Sequence, residues 1–133
     1  MEYSKVLIDT SIIIEYLRKT HKEKTLFWKI INSYDCYISS VTVFELYSGA
    51  KEPSHHQALN TVLSYLNIIE FDEEQAKIAS SIFQKLKAKN KLIEFRDIFI
   101  ASSAVNAQIP LATLNKKHFK RIDNIILLVI EDK

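Results

Sequence analysis

Short aliphatic runs recur along the chain and predict the strands of a sheet. The run Val6-Leu7-Ile8 predicts a buried strand that ends at Asp9. Four further runs lack the polar alternation of half-exposed strands, so they also predict buried strands. They lie at Asp35–Val41, Ile68–Phe71, Pro110–Leu114 and Ile125–Ile130.

Segments with apolar residues at three- and four-residue intervals separate these strands and predict helices. The first runs through Ile12 to Leu17, with Ser11 as its cap. The clearest is Glu73–Lys89, where small and large apolar residues share one face and the lysines occupy the other. The remaining predicted helices are Lys24–Ile31, Thr42–Gly49, His56–Leu66, Arg96–Gln108 and Lys116–Ile122.

The order of these elements predicts an α/β fold. Five strands separated by helices, each strand aliphatic on both faces, are typical of a parallel sheet covered on both sides. We therefore expect a three-layer, Rossmann-like arrangement with a central parallel sheet of about five strands. Because the chain has no linker or repeat and a common domain length, residues 1–133 are expected to form a single domain.

Composition narrows the function more than it narrows the fold. The chain has one glycine, Gly49, and phosphate loops or dinucleotide fingerprints need two or three within about eight positions. Cys36 is the only cysteine and cannot form an intramolecular disulfide. The longest purely aliphatic run has six residues, against roughly 20 for a membrane span. We expect a cytoplasmic protein that does not cross a membrane.

Charge is unevenly distributed along the chain. The segment from Lys85 to Arg121 contains nine basic and two acidic residues, although the net charge of the whole chain is +2. A basic segment of this kind can bind phosphate groups of a nucleic acid. The alternative is that these lysines only solubilise their helices.

Four polar residues are expected to meet at one edge of the sheet. In a parallel α/β sheet the helix N-termini lie at the carboxyl ends of the strands. Asp9 ends the first strand, Glu45 is predicted in the first turn of the helix after the second, Asp97 opens the helix before the fourth, and Asn115 follows that strand. The topology therefore brings three carboxylates and one amide together.

Three converging carboxylates favour a bound cation. They repel one another unless a positive charge lies between them, and oxygen ligands without cysteine or paired histidine favour Mg²⁺ or Mn²⁺. Each acid also has a purely structural interpretation. Asp9 could cap its helix, Glu45 could belong to a capping box, and Asp97 could be a favourable charge in a first helical turn.

Four segments around these residues resemble the motifs of the PIN-domain nucleases, and in particular the VapC-like toxins of toxin–antitoxin modules. In family order they are VLIDTS at 6–11, FELYSGA at 44–50, RDIFIASSA at 96–104 and TLNKKHF at 113–119. The match covers nearly the whole chain, so the resemblance implies a PIN-like fold.

The resemblance also implies a Mg²⁺-dependent endoribonuclease in which Asp9, Glu45 and Asp97 hold one or two metal ions, Mg²⁺ or Mn²⁺. Such ions polarise the phosphate and lower the pKa of a bound water for in-line attack. The products would carry a 3′-hydroxyl and a 5′-phosphate, without a covalent intermediate. The family further implies a homodimer and an antitoxin partner that covers the acidic pocket.

The fourth motif departs from the family pattern because many PIN domains carry an acid where Asn115 or His118 stands here. Asn115 could still offer an amide oxygen or orient a water, and His118 could contact phosphate. Alternatively, Asn115 is a turn or cap residue and His118 a surface residue. We expect catalysis with a weakly held second ion, with Thr113 of the same motif supporting the site.

Two small residues are also expected to support the site. Ser11 could hydrogen-bond a metal-bound water in addition to capping its helix. Gly49 lies four residues after Glu45, so a larger side chain would lean toward the carboxylate and fill space needed by a phosphate. A plain helix C-cap is the alternative for Gly49.

A non-catalytic module with a PIN-like fold, binding RNA or a protein, is the alternative function. It would take up no metal in a manner that depends on Asp9. Phosphotransfer by an aspartate nucleophile fits poorly, because enzymes similar to haloacid dehalogenases need a second aspartate two positions after the first. Ser11 occupies that position.

Overall fold

The computed structural model describes residues 3–130 and contains four strands and seven α-helices within that range. The strands are β1 (Lys5–Ile8), β2 (Asp35–Ser39), β3 (Asn67–Ile69) and β4 (Leu111–Ala112). The helices are α1 (Thr10–Arg18), α2 (Leu26–Ile31), α3 (Ser40–Gly49), α4 (Pro53–Leu63), α5 (Glu73–Ala88), α6 (Phe95–Ala107) and α7 (Lys116–Phe119).

A parallel sheet in the order β3-β2-β1-β4 forms the middle layer. Adjacent residues of β1 enter opposite cores because side chains alternate across a strand. Val6 and Ile8 pack with α1 to α4, whereas Leu7 packs with α5, α6 and Phe119 of α7. Val6, Leu7 and Ile8 are all fully buried. The α/β fold with helices on both faces of a parallel sheet is therefore confirmed.

The sheet has four strands among residues 3–130, so the expected fifth strand at 125–130 is wrong. That segment forms one parallel bridge, between Leu127 and Leu111. The Leu111 N–H donates to the Ile126 carbonyl at 2.8 Å, and the Leu128 N–H donates to the Leu111 carbonyl at 2.9 Å. Pairing stops there because the neighbouring β4 has two residues, and Val129 is already 76% exposed.

Two helix starts differ from the predicted ones and alter the site. Helix α1 begins at Thr10, with Asp9 at the N-cap position, so the expected capping role of Ser11 is wrong. Helix α3 begins at Ser40 because the Ser39 hydroxyl accepts a hydrogen bond from the Val41 N–H at 3.0 Å. Glu45 therefore lies in the second turn of α3 and not in the first.

The strand-to-helix connections at one edge of the sheet are short. Strand β1 leads into α1 through Asp9 alone, and β2 leads directly into α3. Strand β4 is followed by α7 after Thr113, Leu114 and Asn115. These three connections and the start of α6 bring four parts of the chain to this edge. Over residues 3–130, no helix combines the length and apolar character that crossing a membrane requires.

Candidate active site

A cavity of about 300 Å³ at this edge holds most of the expected site residues. Asp9, Glu45, Asp97 and Asn115 all line it, as do Ser11 and His118. Thr113 lies beneath it, 3% exposed. We call this space the acidic cavity. The topological argument for these residues therefore led to the correct edge of the sheet.

Asp9 is 2% exposed and is held by two hydroxyl groups. Its Oδ2 accepts hydrogen bonds from Ser11 Oγ and Thr113 Oγ1, both at 2.7 Å. The same hydroxyls accept backbone N–H donors from the segment after β4, from Leu114 at 3.1 Å and Asn115 at 2.9 Å. Because both donors bind Oδ2, the carboxylate is fixed while Oδ1 has no hydrogen-bond partner within residues 3–130.

The structural interpretation of Asp9 as a helix cap does not hold. Asp9 occupies the N-cap position of α1, but its side chain makes no capping hydrogen bond. Ser11 lies in the first turn of that helix and orients the Asp9 carboxylate. The buried charge therefore has no structural function in capping α1.

Glu45 is held in a similar way on the opposite wall of the cavity. Its Oε1 accepts a hydrogen bond from Thr10 Oγ1 at 2.8 Å, and the Thr10 hydroxyl also lies 3.1 Å from that of Thr42. Its Oε2 is 3.4 Å from Arg96 Nε, and the side chain is 13% exposed. A second-turn glutamate cannot form a capping box, so that interpretation of Glu45 is also excluded.

Asp97 lies in the first turn of α6, as expected, and its side chain is 17% exposed. Burial, together with the negative charges of Asp9, Glu94 and Glu45, raises its pKa to about 6. His118 opposes this shift, with Nδ1 at 3.9 Å from Asp97 Oδ2. Burial is the larger cause of the raised pKa, and repulsion from the neighbouring acids adds to it in the absence of a cation.

The donor set suits Mg²⁺ or Mn²⁺, since it consists of carboxylate and amide oxygens. Within residues 3–130, however, no three acidic or histidine side chains converge closely enough to form a ready-made metal cage. This arrangement is compatible with Mg²⁺, which usually keeps several waters and contacts one or two carboxylates directly. Asp9, whose Oδ1 has no hydrogen-bond partner within residues 3–130, and Asp97 both line the acidic cavity and offer carboxylate oxygens to such an ion.

The fourth motif lies at the rim of the cavity. Asn115 is at the N-cap position of α7 but makes no side-chain capping bond, so its amide is not engaged by the helix. His118 is half exposed and lies on the same short helix. Both side chains are therefore placed to contact a substrate.

Gly49 is not the C-cap of its helix, and its role in leaving room beside Glu45 stays a prediction. It is the last residue of α3, outside the acidic cavity, and lines a neighbouring cavity of about 330 Å³ together with Glu45. A Cβ added to Gly49 would have no atom within 4 Å, so the first atom of a side chain meets nothing. The helix is capped by Ala50, and Gly49 has a negative φ, so it is not a left-handed C-cap.

Four residues that line the acidic cavity were not among the predicted site residues: Thr10, Ile14, Glu94 and Arg96. Thr10 hydrogen-bonds Glu45, while Arg96 bridges Glu45 and Glu94. Arg96 contacts Glu94 Oε2 through Nε at 2.8 Å and Nη2 at 2.7 Å. Thr10 and Arg96 could have been predicted from their positions in the sequence, because Thr10 follows Asp9 and Arg96 precedes Asp97.

Comparison with known proteins gives consistent matches over this fold. Residues 6–125 match the family model of the PIN domain. Ribonuclease VapC1 of Methanocaldococcus jannaschii is 34% identical over 130 residues, covering 98% of this chain and 90% of that protein. Ribonuclease VapC3 of the same organism is 42% identical over 96 residues, covering 72% and 94%.

Solved structures extend the similarity to three dimensions. VapBC2 from Rickettsia felis, bound to a DNA fragment of its promoter, matches with a TM-score of 0.82 at 27% identity, covering 93% of this chain and 97% of that chain. A toxin–antitoxin complex from Klebsiella pneumoniae matches with a TM-score of 0.72 at 25% identity, covering 91% and 95%.

Proposed function

Because the chain belongs to the PIN domain family, we propose that it is a Mg²⁺-dependent endoribonuclease and the toxin of a toxin–antitoxin module. The convergence of Asp9, Glu45 and Asp97 in one cavity carries this proposal. The names of the VapC relatives support RNA as the substrate.

The protein residues would fix the geometry of phosphodiester hydrolysis. Ser11 and Thr113 orient Asp9, and Thr10 orients Glu45, so the carboxylates are placed before substrate arrives. Bound Mg²⁺ or Mn²⁺ would polarise the scissile phosphate and lower the pKa of a water. Water would attack phosphorus as the bond to the 3′ oxygen breaks, which leaves a 3′-hydroxyl and a 5′-phosphate.

Arg96 and Asn115 would assist at the substrate. The Arg96 guanidinium is 57% exposed and faces the cavity from the start of α6, where it could contact a phosphate oxygen. Asn115 would orient a water or contact a weakly held second ion through its amide oxygen. Replacing that amide with a carboxylate, Asn115→Asp, should leave the Mg²⁺ dependence of cleavage intact or strengthen it.

Cleavage of structured RNA with Mg²⁺, compared with cleavage in excess EDTA, tests the proposal. We expect chelation or Asp97→Asn to reduce the rate by about 100-fold or more, because EDTA removes the metal ion and Asp97→Asn removes one of its proposed carboxylate ligands. Lys77→Ala, which changes a charge on exposed α5, is the control. Cleavage that persists in EDTA and in Asp97→Asn would refute the mechanism.

Calorimetric titration with Mn²⁺ separates the enzyme from a non-catalytic binding module. The enzyme should bind Mn²⁺, and Asp9→Asn should weaken that binding at least about tenfold, because Asp9 provides a buried carboxylate. A folded chain that binds no Mn²⁺ and cleaves no RNA would favour the binding module.

The toxin assignment implies an antitoxin partner and a cytoplasmic location, where the RNA substrate lies. The solved toxin–antitoxin complexes with this fold support such a partner. The acidic cavity already accepts one guanidinium, that of Arg96, beside Glu45. A basic side chain of an antitoxin could occupy the same cavity and exclude both metal and substrate.

An exposed aromatic surface supports the proposed homodimer. Phe44 is 71% exposed and Phe95 is 62% exposed, beside two apolar hollows of about 380 and 410 Å³ that share Phe71 and Phe99. We call these four residues, with Phe83, the aromatic patch. Exposed apolar patches often mark interfaces. Protruding rings and hollows on one surface allow a two-fold symmetric dimer in which the exposed rings of each copy enter the hollows of the other.

A further inference from the structure

Another cavity, separate from the acidic cavity, lies between α5, α6 and residues 121–124. Its volume is about 200 Å³. Ile82, Leu86 and Ile122 are buried residues of its lining and give it an apolar floor. Lys85, Lys89 and Arg121 also line it, and we call it the basic cavity. The fold thus concentrates part of the basic segment around one concave surface.

The positive charge of this cavity is only partly neutralised. Lys89 Nζ lies 3.4 Å from Asp123 Oδ1. Lys85 makes no ion pair with any residue between 3 and 130. Arg121 donates from Nη1 to the Leu92 carbonyl at 3.2 Å, which fixes the guanidinium while leaving most of its donors free. Two cations therefore remain for an anionic ligand.

Helix α7 joins the basic cavity to the acidic cavity. Asn115 precedes α7 and Arg121 lies two residues after its end, and the four residues of the helix span roughly 6 Å. The Leu92 carbonyl that holds Arg121 lies two residues before Glu94, which lines the acidic cavity. A single nucleic-acid strand could therefore contact both cavities.

We propose that the basic cavity binds one nucleotide of the RNA strand next to the scissile phosphate. Lys85 and Arg121 contact its phosphate, and the apolar floor accepts its sugar or base. The cavity is smaller than the roughly 300–1,000 Å³ of most small-molecule sites, which suits one nucleotide better than a large cofactor. This inference rests on the proposed ribonuclease function and adds a substrate subsite to it.

A solubilising role alone would not require this arrangement. Lys77 illustrates that role on the same helix, because it pairs with Glu73 one turn away and lines none of the cavities described. Lys85 instead lines a concave surface with an apolar floor, as Arg121 does. The aromatic patch uses a different face of α5, through Ala76, Ala79 and Phe83, so a homodimer would leave the basic cavity open.

Fluorescence anisotropy with a labelled 12-nucleotide single-stranded RNA tests the subsite. All proteins carry Asp97→Asn and are kept in EDTA, so that binding is measured without cleavage. We expect Lys85→Ala with Arg121→Ala to raise Kd about tenfold or more and to reduce the salt slope by about 0.7 for each lost phosphate contact. The matched control removes two lysines elsewhere on α5, Lys77→Ala with Lys87→Ala.

A gain-of-affinity variant makes the test independent of folding defects. Asp123→Asn removes the negative charge beside Lys89 and should lower Kd two- to threefold. Equal losses in the cavity and control variants, or no gain from Asp123→Asn, would overturn the subsite. If wild-type protein cleaves RNA and the cavity variant binds normally, the subsite fails while the proposed function stands. Cavity-dependent binding without cleavage by wild type would retain the subsite and reject the hydrolysis.

Discussion

Asp97 is the residue whose protonation should couple most clearly to folding. Its pKa is about 6 in the folded protein, against 3.8 for an ordinary aspartate. Ionising it therefore costs the folded state more than the unfolded state, and the free energy of unfolding should fall as pH rises from about 4 to about 6. Below pH 4 both states are protonated and the cost disappears.

Asp97→Asn should remove this pH dependence. In metal-free buffer at pH 7 we expect the variant to be more stable than the parent by on the order of 1–3 kcal/mol, with the difference vanishing near pH 4. Urea unfolding over this pH range measures it. Mg²⁺ should narrow the difference by stabilising the ionised parent. Parallel stability curves would show that Asp97 is not destabilised by its neighbours.

Thr113 should determine how well Asp9 binds metal. Thr113→Val removes the hydroxyl donor to Asp9 Oδ2 while preserving side-chain shape, so the buried carboxylate loses part of its orientation. We expect Mn²⁺ affinity to fall about 10–100-fold in calorimetric titrations. Thr113→Ser keeps the hydroxyl and should restore most of the affinity. Unchanged binding by the folded valine variant would mean that Ser11 alone holds Asp9.

For single residues, the sequence indicates which charged side chains reach the site but not which partners they contact there. Asp9, Glu45 and Asp97 could be predicted because they lie just after a strand or in the first two turns of a helix at one sheet edge. The contacts of Thr10 and Arg96 could not, because each depends on the rotamer of a side chain brought in from a distant segment. The role of Gly49 stays a prediction, because the open space around it neither requires nor excludes a small residue there.

The element scale offers a test of local strain at the end of α6. Gln108 caps this helix with φ 56° and ψ 43°, a left-handed conformation that favours glycine. Gln108→Gly should raise the free energy of unfolding by about 0.5–1 kcal/mol, measured by urea denaturation. Gln108→Ala, which retains the Cβ, should give no such gain. A destabilised glycine variant would mean that unfolded-state entropy outweighs the relief of strain.

The same scale shows why the elements were easier to predict than their ends. Aliphatic runs located all four strands, because a strand buried on both faces, such as β1, needs few polar residues. The predicted burial of Ile68–Phe71 is wrong, since β3 is an edge strand in which Ile68 is 46% exposed. The start of α3 depends instead on one Ser39 hydroxyl, and the error of two residues moved Glu45 by half a turn. Residues 125–130 do not form a strand because their neighbour β4 has only two residues. The sequence of 125–130 alone carries no information about the length of β4.

For the whole molecule, the main test concerns self-association. If the aromatic patch forms the homodimer, Phe44→Glu with Phe95→Glu should yield monomers in light-scattering measurements, because charges would replace the rings at its centre. Tyr65→Glu, at a ring that is 66% exposed elsewhere, should leave the dimer intact. A monomeric parent, or a dimer that survives both patch substitutions, would contradict this assignment.

The hydrogen bond from Thr113 Oγ1 to Asp9 Oδ2 joins residues 104 positions apart in the sequence. During synthesis, residue 9 leaves the ribosome long before residue 113, so Asp9 lacks one of the two hydroxyls that orient it until the segment containing Thr113 has emerged. Asp97 and Asn115 also arrive late. Under the proposed ribonuclease function, a nascent chain should therefore remain harmless to nearby RNA until that segment has emerged, which would give a co-synthesised antitoxin time to meet it.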